Sequence, residues 1–316
     1  MPTIPKEILD CVVYLYADEA AADAKKTPGG TGFLIGLKST SFEHDNIHHI
    51  YVVTNHHVAV GGENSCIRVN TLDGKTELFS VDPSEWTCDV GLDLAVLPLK
   101  WELEKYKSKC IPSDMFMTDT TLAEWDMNAG EDVFMIGVFL DNHGDTINTP
   151  AVRFGNISLM PSEMEFSKYG HDYSGKYYCL DMRSRTGFSG SPIFVYRTST
   201  NDLRPSNVVS LGPPQPKFLG VHAAQYPETI VVEDAKGVER DLTAPSGMTM
   251  VIPAQRILDL LNTKKLAEQR SLSKWRTSLA PRTNQGKLED ANAEVSGDDI
   301  LKAALNMPPQ QHKAAK

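Results

Sequence analysis

The sequence predicts an all-β chain, a barrel or a pair of barrels, with a single helix near the C-terminus. Three observations predict it. About a dozen short runs rich in Val, Ile, Phe and Tyr recur between residues 8 and 252, with Gly, Pro, Asn or Asp between them. Helical periodicity is scarce before residue 252, which disfavours strands alternating with helices in a parallel sheet. From Pro253, "PAQRILDLLNTKKLAEQR" has a proline suited to a first turn and places Ile257, Leu258 and Leu261 on one face.

In chain order the predicted strands begin with "ILDCVVYLY" (8–16), "TGFLIGL" (31–37), "IYVVTN" (50–55), "CIRVN" (66–70), "TELFSV" (76–81) and "DLAVLPL" (93–99). The later ones are "DVFMIGVF" (132–139), "AVRFGNISLM" (151–160), "YYCLDM" (177–182), "SPIFVY" (191–196), "KFLGVHAA" (217–224) and "GMTMVI" (247–252). Residues 17–30 and 37–49 read as surface hairpin loops, 100–128 as holding a short helix, and 197–216 as a Pro/Ser/Asn-rich excursion. Beyond residue 272 the composition turns polar, and a disordered tail is expected over 273–316. Within it, "GDDILKAALN" (297–306) is a candidate short helix through which a partner protein could dock.

Composition narrows the function classes. A net charge of −10 over 316 residues, without a Lys/Arg-dense stretch, argues against nucleic acid as a partner. The absence of an apolar run of about 18 residues argues against a membrane helix, and the N-terminus does not read as a secretory signal. Five cysteines, an odd number without a CxxC pair, read as reduced thiols, so a cytoplasmic location is expected.

Three islands carry chemistry: "YVVTNHHV", a strand running into a turn with two histidines; "GLDLAVLPL", an aspartate heading an apolar strand; and "GFSGSP" between two core strands. Acyl transfer needs a hydroxyl nucleophile, a base to activate it and a buried carboxylate to orient the base. It also needs donors aimed at the oxyanion, and a glycine two before the serine permits a turn that points backbone N–H groups into one hollow. Taken singly, Ser189 reads as a loop serine, His57 as a surface or core histidine and Asp93 as a strand-end turn residue. His44, His48, His49, His56 and His57 invite a metal reading, but irregular spacing and missing Cys partners speak against it, and no metal or cofactor is expected.

In this order, "TNHHV", "DLAVL" and "GFSGSP" resemble the His, Asp and Ser signatures of chymotrypsin-fold, trypsin-like serine peptidases. The nearest likeness is to the disulfide-free bacterial branch with HtrA-like enzymes and glutamyl endopeptidases. "GTGFLI" (30–35) and "GVH" (220–222) before a terminal helix fit the same pattern. The resemblance spans about residues 8–265 and implies two six-stranded antiparallel β-barrels, chymotrypsin-like, with a C-terminal α-helix. It implies a peptidase domain over 1–272, with halves at about 1–125 and 126–252 and a helix over 253–270.

It further implies Ser189 as nucleophile, His57 as base, Asp93 as orienting acid and the N–H groups of Gly187 and Ser189 as oxyanion hole. His56 and Ser191 fall on variable and structural positions. Phe188 stands where zymogen-type enzymes carry an aspartate that pairs with a newly cut N-terminus, so no N-terminal cleavage is expected. His222, Ser184 and Arg183 correspond to positions that line a primary pocket for Glu, Asp or Gln in glutamyl endopeptidases and related viral enzymes. His222 reads equally as a satisfied core histidine, and Arg183 equally as a solvent-facing side chain. The expected function is serine endopeptidase action on a protein or peptide substrate through an acyl-enzyme. The alternatives are a catalytically inactive peptidase-fold binding module and a regulatory protease dedicated to one partner.

Overall fold

The computed structural model describes residues 3–38, 48–99, 105–197, 216–233 and 237–271. The tail over 273–316, His44 and most of the 197–216 excursion lie outside them. The elements begin with α1 (Lys6–Leu9), β1 (Val12–Tyr16), α2 (Glu19–Asp23), β2 (Gly30–Lys38), β3 (His48–Thr54), α3 (His56–Ala59), β4 (Cys66–Asn70) and β5 (Thr76–Ser80). There follow β6 (Thr87–Asp89), β7 (Leu94–Leu99), β8 (Ile111–Pro112), α4 (Asp119–Glu124), β9 (Asp132–Gly137), β10 (Ala151–Lys168) and β11 (His171–Asp181). β12 (Pro192–Tyr196), β13 (Lys217–Glu233), β14 (Glu239–Pro253), α5 (Ala254–Leu261) and α6 (Lys264–Ser271) complete the chain.

The strands form two sheets. The second is a closed six-stranded antiparallel barrel in the order β10-β11-β14-β13-β12-β9. The first departs from the expected six-stranded barrel: it has eight strands, seven running from β5 through β4, β1, β2, β3 and β7 to β6, with β8 parallel to β2 as the eighth. Among the described residues β5 and β6 do not pair, so this sheet stays open. The short β6 and β8 carry too few residues to show an alternating pattern in the sequence.

Why the strands read as unbroken apolar runs is plain from their two faces. Successive side chains of a strand point to opposite sides of the sheet. In β1, Val13 and Leu15 fill the interior of the first sheet, whereas Val12, Tyr14 and Tyr16 join a core shared by both halves. That shared core unites Phe33, Tyr51 and Val53 of the first half with Phe134, Phe194, Phe218 and Ile252 of the second. Both faces are therefore dry, and the two halves meet across an apolar seam.

The C-terminal helix departs from a single run over 253–270, because it breaks at Asn262 and Thr263 into α5 and α6. The Thr263 hydroxyl donates to the Leu260 carbonyl at 2.7 Å, and Arg270 reaches back to the Leu261 carbonyl at 2.6 Å and to the Tyr51 hydroxyl at 3.1 Å. Side chains thus satisfy the carbonyls that end α5. Residues 19–23 also form a turn of helix rather than loop, with the Asp18 carboxylate accepting from the Ala21 N–H at 2.6 Å. Among the described residues no helix is long and apolar enough to cross a membrane.

Candidate active site

The seam positions three loops. α3 follows β3 directly, so His57 sits on one helical turn at the end of a core strand. Asp93 precedes β7 in a left-handed conformation (φ +61°), which short polar side chains tolerate best. Its carbonyl accepts from the His56 N–H and the Asn55 amide, both at 3.1 Å, and its carboxylate accepts from the His57 backbone N–H at 2.8 Å. The carboxylate also lies 2.6 Å from His57 Nδ1. With Nδ1–H donating to the carboxylate, Nε2 is left with its lone pair free to accept a proton.

Both groups are out of water: His57 is 1% exposed and Asp93 0%. Burial holds the His57 imidazole down to about 2, with the Lys168 ammonium and His56 nearby adding to it. Burial pushes the Asp93 carboxyl up, while the His57 N–H and the Lys168 ammonium nearby favour its ionised form. At neutral pH the imidazole is neutral, the form a general base requires.

Ser189 comes from the second half, on the loop between β11 and β12. The N-terminal half clasps this loop through Thr31 of β2: its N–H donates to the Ser189 carbonyl at 2.9 Å and its hydroxyl to the Gly187 carbonyl at 2.8 Å. Two glycines are required there. Gly190 adopts φ +81°, and a Cβ on it would lie 2.0 Å from the Thr31 carbonyl oxygen; Gly187 adopts φ +99° against Leu140. Among the described residues neither the Gly187 nor the Ser189 N–H has an acceptor, so both donors remain available. Phe188 is fully buried in the core of the second barrel, under the Arg153 guanidinium. Ser191 packs against Gly137, whose absent Cβ would lie 2.0 Å from its Oγ.

The pocket residues separate. His222 (2% exposed) and Ser184 are buried, and among the described residues neither ring nitrogen of His222 nor Ser184 Oγ has a partner. His222 is a core histidine, but not a satisfied one. Arg183 is exposed: residues 182–184 alternate, so Met182 and Ser184 point inward and Arg183 outward. The cation beside Ser184 is instead Arg185, which with Phe139, Leu140, Thr186 and Gln225 lines an open groove and pairs there with Asp141 at 3.6 Å.

Sequence reasoning missed four participants. Thr31 and Lys168 touch the Ser189 loop, and His171 and Tyr173 touch His56. His56 is not a free variable position, since its Nδ1 shares a 3.1 Å hydrogen bond with the Tyr173 hydroxyl. Lys168, His171 and Tyr173 lie on a ribbon formed by β10 and β11, which runs eight residues past the predicted end of its first strand. The available signal was the alternation of Met164, Phe166 and Lys168 before the two-residue "YG" turn, where Tyr169 (φ +50°) and Gly170 (φ +76°) are both left-handed. Among the described residues no cluster of His, Cys, Asp and Glu is arranged to hold a metal, and all five cysteines are free.

No curated protein sequence matches the chain. Among solved structures, the apo MamO protease domain of Magnetospirillum magneticum is similar at 15% identity, covering 80% of this chain and 97% of that one, with a TM-score of 0.46. The inactive form of the Rv3671c protease is 17% identical over 80% of this chain and 88% of that one, with a TM-score of 0.42. A serine-to-alanine mutant of Rv3671c from M. tuberculosis H37Rv, also an inactive form, scores 0.43 at 17% identity, covering 82% and 88%. The family model for the trypsin-like peptidase domain matches residues 30–199, more than half of the chain and a span that holds His57, Asp93 and Ser189. The chain belongs to the trypsin-like peptidase family.

Proposed function

We propose that the protein is a serine endopeptidase acting through Ser189, His57 and Asp93. The observation that carries this reading is the buried 2.6 Å contact from His57 Nδ1 to Asp93, which leaves a neutral imidazole with a free Nε2. Nε2 takes the Ser189 proton as Oγ attacks the scissile carbonyl. The N–H groups of Gly187 and Ser189 hold the oxyanion, a contribution of about 10²–10³ in rate per donor. The imidazolium, stabilised by Asp93, gives its proton to the leaving amine, and water then hydrolyses the acyl ester with His57 again as base.

A preference for Glu, Asp or Gln before the cut is part of the proposal. Its support is the unfilled hydrogen-bonding capacity of His222 and Ser184, two buried side chains that a carboxylate or amide would satisfy. Arg185, not Arg183, is the cation near this region, and it is paired with Asp141 at 3.6 Å, so the buried polar pair rather than this cation supports the preference. The five free cysteines support a reducing, cytoplasmic setting.

A fluorophosphonate probe tests the reading. Labelling at Ser189, lost in Ser189→Ala and reduced in His57→Ala, is expected. Absence of labelling in folded protein under every condition would favour the binding-module alternative, to which the engagement of Ser189 by Lys168 lends support. A cleavage profile dominated by Lys or Arg would end the proposed specificity.

A further inference from the structure

The β10–β11 ribbon belongs to the second half yet reaches across the crevice to the first. Directly paired residues of an antiparallel ribbon share a face, and its register pairs Phe166 with Tyr173 and Lys168 with His171. That face looks onto the site. Lys168 Nζ donates to Ser189 Oγ at 3.0 Å, the His171 ring stands edge-on to His56 at 5.2 Å, and the Tyr173 hydroxyl bonds His56. The Tyr169 ring lies 6.1 Å from that of His57. Further along, the Ser174 N–H donates to the Gly91 carbonyl at 3.0 Å. Gly175 fits over Leu92, where a Cβ would come within 2.3 Å of its side chain. Both contacts fall on the turn that carries Asp93.

The consequence is a closed centre: Ser189 is 7% exposed and His57 1%, and His57 Nε2 has no partner among the described residues. The Lys168 ammonium stands 3.0 Å from Ser189 Oγ in a site with little open space, so a scissile carbonyl within bonding reach of that oxygen would compete with it for the same room. Burial holds Lys168 below its ordinary value against the attraction of the Asp93 carboxylate, with which it forms no direct salt bridge among the described residues. A single hydrogen bond to a neutral hydroxyl is a contact an incoming chain can displace.

We infer that the β10–β11 ribbon is a built-in plug, in which Lys168 caps the nucleophile of the resting protein and leaves when a polypeptide enters the crevice. The inference rests on the proposed role of Ser189. The competing assignment, Lys168 as the base for Ser189, leaves the assembled His57–Asp93 pair without a task.

Full-length wild-type protein and Lys168→Met are compared by the rate of fluorophosphonate labelling and by hydrogen exchange of the amides over 162–176. With the cap removed, labelling should accelerate on the order of ten- to a hundredfold, the worth of one hydrogen bond to a charged group. The tip amides should exchange faster as well. Unchanged or slower labelling in Lys168→Met, where wild type does label, overturns the plug, and the slower outcome makes Lys168 the base. Should neither protein label, the peptidase reading falls, and hydrogen exchange still decides the cap: unchanged tip protection refutes it and faster exchange upholds it.

Discussion

The Thr31 hydroxyl joins the two halves of the molecule at the nucleophile loop: it donates to the Gly187 carbonyl at 2.8 Å and accepts from the Val138 N–H at 3.0 Å. With the Gly187 carbonyl so held, the peptide plane it shares with the Phe188 N–H is fixed between the two candidate oxyanion donors. Thr31→Val keeps the shape and removes both bonds, leaving a buried carbonyl and a buried N–H unpaired, each at about 1–3 kcal/mol. The expected outcome is a loss of about 2–6 kcal/mol in urea unfolding, with slower labelling of Ser189. Stability within about 0.5 kcal/mol of wild type would show that the clasp is not needed.

Gly190 and Gly130 form an internal control. Both have positive φ (+81° and +95°), but a Cβ on Gly130 meets nothing within 4 Å, whereas on Gly190 it strikes the Thr31 carbonyl and the Thr54 hydroxyl. Gly130→Ala should lose only the conformational cost, about 1–2 kcal/mol. Gly190→Ala should lose that plus a backbone clash, and either fail to fold or fold with Ser189 displaced. Equal melting temperatures for the two variants would contradict the packing described.

Asp93→Asn leaves the shape and removes the charge. The amide would present an N–H to His57 Nδ1, favour the tautomer protonated on Nε2 and deprive Ser189 of its base. Labelling is expected to fall about 10³–10⁴-fold while the far-ultraviolet dichroism is retained. Wild-type labelling in this variant would remove Asp93 from the mechanism.

His222 predicts a pH dependence of stability. Burial holds its imidazole down to about 3, with Lys168 and His57 adding, against an ordinary value of 6.5. Between these values the unfolded chain binds a proton that the folded chain refuses, so stability falls as pH falls through that window. One such group contributes about 1.4 kcal/mol per pH unit. The His57–Asp93 pair adds little slope, since its imidazole is pushed down and its carboxyl up. His222→Gln should therefore flatten the acid limb by about 1.4 kcal/mol per pH unit between roughly pH 6 and 4. Parallel limbs in urea titrations of the two proteins would refute the assignment.

The sequence by itself determined what is local. Core strands with two dry faces announce themselves as apolar runs, which is why the "CIRVN" strand has the predicted bounds and β2 and β3 lie within two residues of theirs. The loops carrying His57, Asp93 and Ser189 were legible because each needs particular residue types within a few positions: a polar turn after a strand, an aspartate before one, glycines around a serine. Tertiary structure decided what depends on reach and direction. Arg183 and Arg185 are alike in sequence, but only the path of the chain after β11 turns one outward and brings the other to the groove. Lys168 lies 21 residues from Ser189, at the tip of a twisted ribbon whose landing point is set by contacts with Gly91, Leu92 and His56. No local pattern encodes that meeting, because a ribbon's twist and its tethers on the opposite half exist only once both halves have folded.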